Sequence, residues 1–386
     1  MRYLVPFVLR DLAKKMAFVG GPRQVGKTTL ARSILGDRYP GGCYLNWDFD
    51  PDRQAILERR WPADTPLLVF DELHKFPRWK SWLKGLYDVF GDRSSILVTG
   101  SARLDVYRRG GDSLMGRYHY WRLHPFTLDE RPAGVTPEQA LPRLLTVGGF
   151  PEPFLENDER EARRWRRERF DRVLREDVRD LAGIRDIQTL GLFLDLLRRR
   201  VGGAVVLANL AADLHVTHKT VNAWLQTLER MYLLFAVRPY TRSLPRAIRK
   251  PPKVYFFDNA DVVGDPGARF ENLVATHLLK RIQFLEDRDG FRYELNYLRD
   301  KEGREVDFVV VKDGEIEELI EVKTGDAAPS RGLRYYAERL RPQRATQIVA
   351  DLDRPFDRDG IRVTDPISYF CAAPPWELQS APAGDG

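Results

Sequence analysis

Gly21, Pro22, Arg23, Gln24, Val25, Gly26, Lys27 and Thr28 follow the spacing G-x-x-x-x-G-K-[ST]. That spacing serves polyphosphate binding. Glycines let backbone N–H groups turn inward onto phosphate oxygens, and the helix that follows adds the partial positive charge of its N-terminus. Lys27 is expected to reach the β/γ phosphates and Thr28 to hold a magnesium ion, with Thr29 in the same first turn. A second set, Asp71-Glu72, closes the apolar run Leu67-Leu68-Val69-Phe70. At a strand end, Asp71 suits water-mediated magnesium binding and Glu72 suits orienting and polarising an attacking water. Two acids there could also cap the helix near Trp79, but the order loop first, acids second favours the chemical reading. Thr99 and Ser101 end another apolar run and read either as γ-phosphate sensors or as turn formers. Arg117 is a candidate arginine finger in a chain where arginine is also a common surface residue.

A third set lies far downstream. Glu305-Val306-Asp307-Phe308 and Ile320-Glu321-Val322-Lys323 place Asp307, Glu321 and Lys323 on adjacent apolar strands, with Glu321 and Lys323 on one face. Two carboxylates converging with a lysine can hold Mg2+ or Mn2+ and activate water against a phosphodiester, with Glu271 as a further oxygen ligand. The plainer alternative is a strand-start aspartate and a cross-strand surface pair.

Between these sets, Val206–Leu214 and His218–Leu228 read as two short helices joined by His215-Val216-Thr217, with Thr217 as N-cap. The second helix offers Lys219, Thr220, Asn222 and Gln226 to phosphates or base edges. Arg238, Arg242, Arg246, Arg249, Lys250 and Lys253 follow in a proline-bearing stretch that reads as a basic wing. Such a winged helix binds nucleic acid, here DNA, or serves protein contacts. His215 and His218 have no nearby partner ligands for a metal.

The elements that must position these residues follow from hydrophobic pattern and turn signals. Residues 1–128 alternate strand and helix patterns, the mark of a doubly wound α/β core with a parallel sheet. Residues 129–187 read as a helical connector, including Glu159–Asp180, where arginines interleave with acids as on a solvated helix. A winged helix-turn-helix is expected over 188–250, a smaller α/β domain over 251–373, and a flexible tail over 374–386.

A length of 386 residues exceeds one ordinary core. With 43% hydrophobic and 31% charged residues the chain reads as soluble and globular. No apolar run approaches a membrane span, and the first residues lack a secretory pattern. Cys43 and Cys371 form no disulfide framework, which suits the cytoplasm. The net charge of +6 permits nucleic acid binding without demanding it.

Taken in order, the phosphate loop, Val69–Lys75 with Pro77 and Trp79, Thr99–Arg103, Gly116-Arg117-Tyr118, Leu123–Phe126, Gly148–Glu152, Pro252–Asp258, Phe270-Glu271-Asn272, Glu305–Phe308 and Ile320–Lys323 carry a resemblance. The chain resembles the prokaryotic AAA-type ATPases of the archaeal ATPase group, whose C-terminal domain of unknown function has a restriction-endonuclease-like fold. The resemblance implies ATP binding and hydrolysis, then a winged helix, then a D…(D/E)-x-K nuclease fold onto which Asp307, Glu321 and Lys323 map. Val306 stands where that pattern expects proline. Two functions follow as expectations: ATP-driven, Mg-dependent cleavage of DNA, or a nucleotide-dependent regulatory switch with an inactive nuclease fold. A homo-oligomer is compatible with either.

Overall fold

The computed structural model describes residues 2–91, 93–101, 114–178, 186–241 and 250–377. The chain divides into two compact units, Met1–His124 with Arg230–Tyr232, and Pro125–Glu229 with Leu233–Gly386.

The first unit is built on five strands: β1 (Met16–Gly20), β2 (Cys43–Asn46), β3 (Leu67–Asp71), β4 (Ser95–Thr99) and β5 (Tyr118–Arg122). All pair in parallel, in the order β2-β3-β4-β1-β5. The runs Met16-Ala17-Phe18-Val19 and Leu67–Phe70 are buried throughout, as strands covered on both faces require. One face packs Phe18, Leu68, Phe70, Ile96 and Val98 against Trp79, Leu83 and Leu86 of the helix Trp79–Phe90. Because the strands are parallel, the C-terminal ends of β1, β3 and β4 lie along one edge. That edge is where open α/β sheets bind ligands.

The second unit opens with helices Pro137–Thr146, Pro151–Glu156 and Glu159–Arg172, followed after a gap in the described residues by Ile187–Arg198, Leu207–Asp213 and His218–Arg230. Its sheet has eight strands, in the order β12-β13-β11-β10-β9-β8-β6-β7. They are β6 (Leu234–Pro239), β7 (Lys253–Phe256), β8 (Tyr293–Arg299), β9 (Glu305–Lys312), β10 (Glu315–Lys323), β11 (Arg344–Val349), β12 (Phe356–Arg358) and β13 (Ile361–Thr364). Pairing is mixed: β9 is antiparallel to β8 and β10, whereas β10 and β11 are parallel. The 24-residue helix Pro266–Asp289 is capped by Asp265 and stopped at Gly290, which takes a left-handed conformation.

Asp313 and Gly314, both at positive φ, turn β9 into β10 as a two-residue hairpin does. A bulge between Ile316 and Glu318 then resets the register, and Ile320 comes opposite Phe308. Glu321 and Asp307 are the next residues along the two strands, where Asp307 accepts from the Val322 N–H, so turn and bulge together bring the two acids to one place.

The wing strands do not stand apart. β6 pairs antiparallel with β7 and parallel with β8, so the 250/251 division lies within one continuous sheet. In the tail expected from 374, Trp376 is buried edge-on against Phe284. Among the described residues no helix is long and apolar enough to cross a membrane.

Candidate nucleotide site and C-terminal carboxylate cluster

The phosphate loop gets its shape from its glycines. Gly21 has φ +144° and lies against β5's continuation: a Cβ built on it would stand 2.4 Å from the carbonyl oxygen of Leu123. Gly26, at φ +96°, is the left-handed N-cap of the helix Lys27–Arg38, and Gln24 is also left-handed. Lys27 is buried and donates from Nζ to the carbonyls of Pro22 (2.6 Å) and Gly21 (3.1 Å). Its ammonium therefore fills the concavity that phosphates occupy in such loops. Thr28 and Thr29 are exposed beside it, Val25 is buried beneath, and Arg23 is half-buried. Arg2 donates to the carbonyls of Val25 and His124, tying the loop to the end of the sheet.

Asp71 is the hub of the sheet edge. Thr28 Oγ1 donates to its Oδ2 at 2.7 Å and Thr99 Oγ1 to its Oδ1 at 2.6 Å. Tyr44, which sequence reasoning treated only as part of a strand, donates to Oδ2 at 2.6 Å, while the Arg32 guanidinium stacks 4.6 Å from its ring. Burial, and then the bond to Asp71, raises the Tyr44 phenol and keeps it a donor. Glu72 adopts φ +57° and anchors its own N–H on the Thr99 carbonyl at 2.9 Å. Its carboxylate lies 3.5 Å from His74 Nε2 and 3.6 Å from Lys75 Nζ. Burial raises its pKa and Lys27 opposes the rise, which moves it toward the basicity a water-orienting group needs. Ser101 is buried just past β4.

Arg117 is not brought to this edge. It precedes β5, whose first residue pairs with Met16 at the start of β1, the end of the sheet opposite the phosphate loop. There it is bound to Asp88 at 2.7 Å, so it cannot serve as a finger for the nucleotide of its own chain.

In the second unit, Asp307 and Glu321 are adjacent, and Lys323 Nζ lies 2.8 Å from Glu321 Oε1. Asp307 Oδ2 accepts from the Val322 N–H at 3.0 Å. The centre of the cluster is Lys253. Read from sequence as a wing cation, it is instead 1% exposed, its Nζ 3.1 Å from Asp307, 3.3 Å from Glu271 and 2.6 Å from Glu305. Tyr255 donates to Glu271 Oε1 at 2.6 Å. Lys253 and Tyr255 alternate on one face of β7, and that spacing was the only sequence signal for them. Burial works against the Lys253 charge, yet Asp307, Glu271 and Glu305 outweigh it and hold its pKa above the ordinary lysine value. Burial and then Asp307 push Glu321 up to about 7 and raise Glu271. Among the described residues no group of three or more His, Cys, Asp or Glu is arranged to hold a metal ion. Of the ligand set expected from Glu271, Asp307 and Glu321, the first two have the Lys253 ammonium against them.

On the helix His218–Arg230, Val221, Trp224, Leu225 and Leu228 are buried, and Lys219 and Gln226 are exposed with Asn222 half-exposed on the opposite side. Thr220 is bound to Thr217. Lys250 is exposed; Arg242 and Arg249 lie outside the described residues.

Three family models match in succession: an AAA domain over residues 13–131, a domain of unknown function (DUF8612) over 138–261, and a domain of unknown function (DUF4143) over 266–369. An uncharacterized protein of Mycobacterium tuberculosis is 26% identical over 240 residues, which cover 62% of this chain and 53% of the relative. The chain thus spans about half the length of that relative and of its Mycobacterium bovis counterpart. An uncharacterized protein of Methanocaldococcus jannaschii is 23% identical over 81% of this chain and 76% of its own length. Among solved structures, the Aeropyrum pernix ORC1 protein in complex with DNA is 16% identical, covering 73% of this chain and 94% of its own, with a TM-score of 0.33. A single-residue variant of Thermotoga maritima RuvB is 18% identical, covering 60% and 88%, with a TM-score of 0.31. Parallel sheet, phosphate loop and matched family model together make residues 13–131 an AAA-type P-loop ATPase domain.

Proposed function

We propose that the first unit binds ATP with Mg2+ and hydrolyses it, and that this chemistry works as a nucleotide-dependent switch on the second unit. The observation that carries the reading is the convergence of Thr28, Thr99 and Tyr44 on Asp71 beside the Lys27 ammonium. Two oxygen donors 2.7 Å apart at the mouth of a phosphate loop suit a magnesium ion. Thr28 and Asp71 would hold that ion, and bound there it would neutralise charge on the β and γ phosphates. Lys27 is released from two backbone carbonyls to the phosphates. Glu72 orients the attacking water, and Thr99, fixed to Asp71, reports on the γ-phosphate through the same carboxylate. Phosphate release measured with excess ATP and Mg2+ tests this. Lys27→Ala should abolish turnover, and Glu72→Gln should retain ATP binding while losing hydrolysis. Undiminished turnover in Lys27→Ala overturns the assignment.

Phosphodiester cleavage by the second unit is the other reading, favoured by the meeting of Asp307, Glu321 and Lys323 on one strand pair. Lys253 opposes it. DNA contact through Lys219, Asn222, Gln226 and Lys250 is compatible with both readings. Incubation of single-stranded, duplex and branched DNA with Mg2+ or Mn2+ separates them: cleavage lost in Asp307→Ala and Glu321→Ala marks a nuclease, and intact DNA marks the switch.

A further inference from the structure

We propose that Lys253 is the resident cation of the C-terminal carboxylate cluster: its ammonium lies on Glu271 and Asp307, two of the three residues expected to ligate a divalent ion, and closes the cluster to metal. This concerns the second unit alone and holds whether or not the first unit hydrolyses ATP.

Three observations carry it. The first is geometry. An ammonium makes three donations, and Lys253 has three carboxylates within 3.3 Å, from Glu271, Glu305 and Asp307. A metal bridging Glu271 and Asp307 would need the space its Nζ holds, and like charge would repel it. The second is enclosure. The start of β7 is fastened from outside, with Val205 N–H donating to the Pro252 carbonyl at 2.8 Å and Ala204 bridged to Lys253. The turn at Gly202 lies directly on Glu271, since a Cβ there would stand 2.6 Å from Glu271 Oε2. Lys253 thus reaches the carboxylates from a strand pinned at its base, without the freedom of a surface lysine. The third is the residue left over. Glu321 Oε2 is buried without a hydrogen bond, although Ser330 is close enough to favour its charged form. An oxygen in that state would be a ready ligand if the ammonium were gone.

The Asp307–Glu321–Lys323 pattern alone suggests catalysis, yet two ammoniums, Lys253 and Lys323, already lie on its carboxylates. The cluster then serves to lock β7, β9, β10 and the helix Pro266–Asp289 together, and the expected hydrolytic metal has no place.

Mn2+ binding to the nucleotide-free full-length chain tests this, with free Mn2+ followed by electron paramagnetic resonance. The absence of nucleotide keeps the phosphate loop from contributing a site. The wild type and Asp307→Asn should bind Mn2+ equally weakly. Lys253→Met, which keeps the stem and removes the charge, should gain one site at least about tenfold tighter, in the millimolar range or below typical of exposed carboxylate sites. Lys253→Met combined with Asp307→Asn should lose that site, and Lys253→Arg should never gain it. Two results overturn the proposal: wild-type Mn2+ binding that Asp307→Asn abolishes, or a folded Lys253→Met with no added site. If Lys253→Met does not fold, the comparison of wild type with Asp307→Asn still decides, since a metal site in the wild type would show there.

Discussion

The Tyr44 hydroxyl and Thr28 Oγ1 donate to the same oxygen of Asp71, Oδ2, at 2.6 and 2.7 Å. A carboxylate meant to take up magnesium must give up the Thr28 bond to the ion. Tyr44 is then the donor that stays and fixes how the carboxylate faces the loop, because Thr99 holds only the other oxygen. Tyr44→Phe removes one charge-assisted bond, worth about 1.5–3 kcal/mol when lost in full. We expect turnover to fall by about tenfold, corresponding to about 1.4 kcal/mol. The Mg2+ concentration for half-maximal rate should rise, while ATP affinity without Mg2+ stays unchanged. A magnesium titration of steady-state phosphate release measures this, and an unchanged midpoint would remove Tyr44 from the site.

Gly21 makes a different demand, on backbone alone. Its φ of +144° and the Leu123 carbonyl 2.4 Å from a built Cβ leave no room for a methyl group. Gly21→Ala must either strain the loop, at about 1–3 kcal/mol, or lift it from β5's continuation. Both outcomes weaken ATP binding and lower the melting temperature of the first unit. Fluorescent nucleotide titration and thermal unfolding should move together, and wild-type affinity in this variant would show that the close approach is dispensable.

Much of this architecture was legible because local chemistry dictated it. The loop spacing and the buried runs ending in Asp71 and Thr99 declare themselves without tertiary context. Lys253 did not, because a lysine in a basic stretch looks like a surface cation until its strand is paired. Tyr44 did not, because its target is donated by another strand. Arg117 shows the converse: its type suited a finger or a surface arginine, and only the parallel pairing of β1 with β5 shows which end of the sheet it occupies. Long-range register decides these three cases, and no local pattern encodes it.

Lys280 presents a further buried ammonium. It is fully buried, with Glu130 Oε2 at 2.5 Å, Thr127 Oγ1 at 2.8 Å and the Pro125 carbonyl at 3.3 Å. Lys280→Met removes the ammonium from the buried Glu130 carboxylate, which should destabilise the second unit by about 3–5 kcal/mol. Lys280→Met with Glu130→Gln should recover most of that loss, since removing both charges together costs little. Denaturant unfolding of the two variants separates the cases. Equal losses would mean that the pair contributes through packing and not through charge.

His277 gives the second unit an acid-side weakness. Its Nε2 accepts from the Leu128 N–H at 2.8 Å and its Nδ1 donates to the Leu273 carbonyl at 2.7 Å, so the ring is held as the neutral Nδ1–H tautomer. The Phe370 ring lies 4.6 Å away, and burial pulls the pKa down to about 4, Asp129 opposing and Lys280 and Arg281 assisting. A group with a depressed folded pKa binds its proton more readily when unfolded. Its contribution is therefore complete above the unfolded value of about 6.5, declines as pH falls, and is gone near pH 4. The full swing is about 3 kcal/mol. Denaturant unfolding at pH 7 and pH 4.5 should show the wild type losing about 2 kcal/mol more than His277→Gln, which cannot take up that proton. Equal losses in the two proteins would place the acid sensitivity elsewhere, in carboxylates that both share.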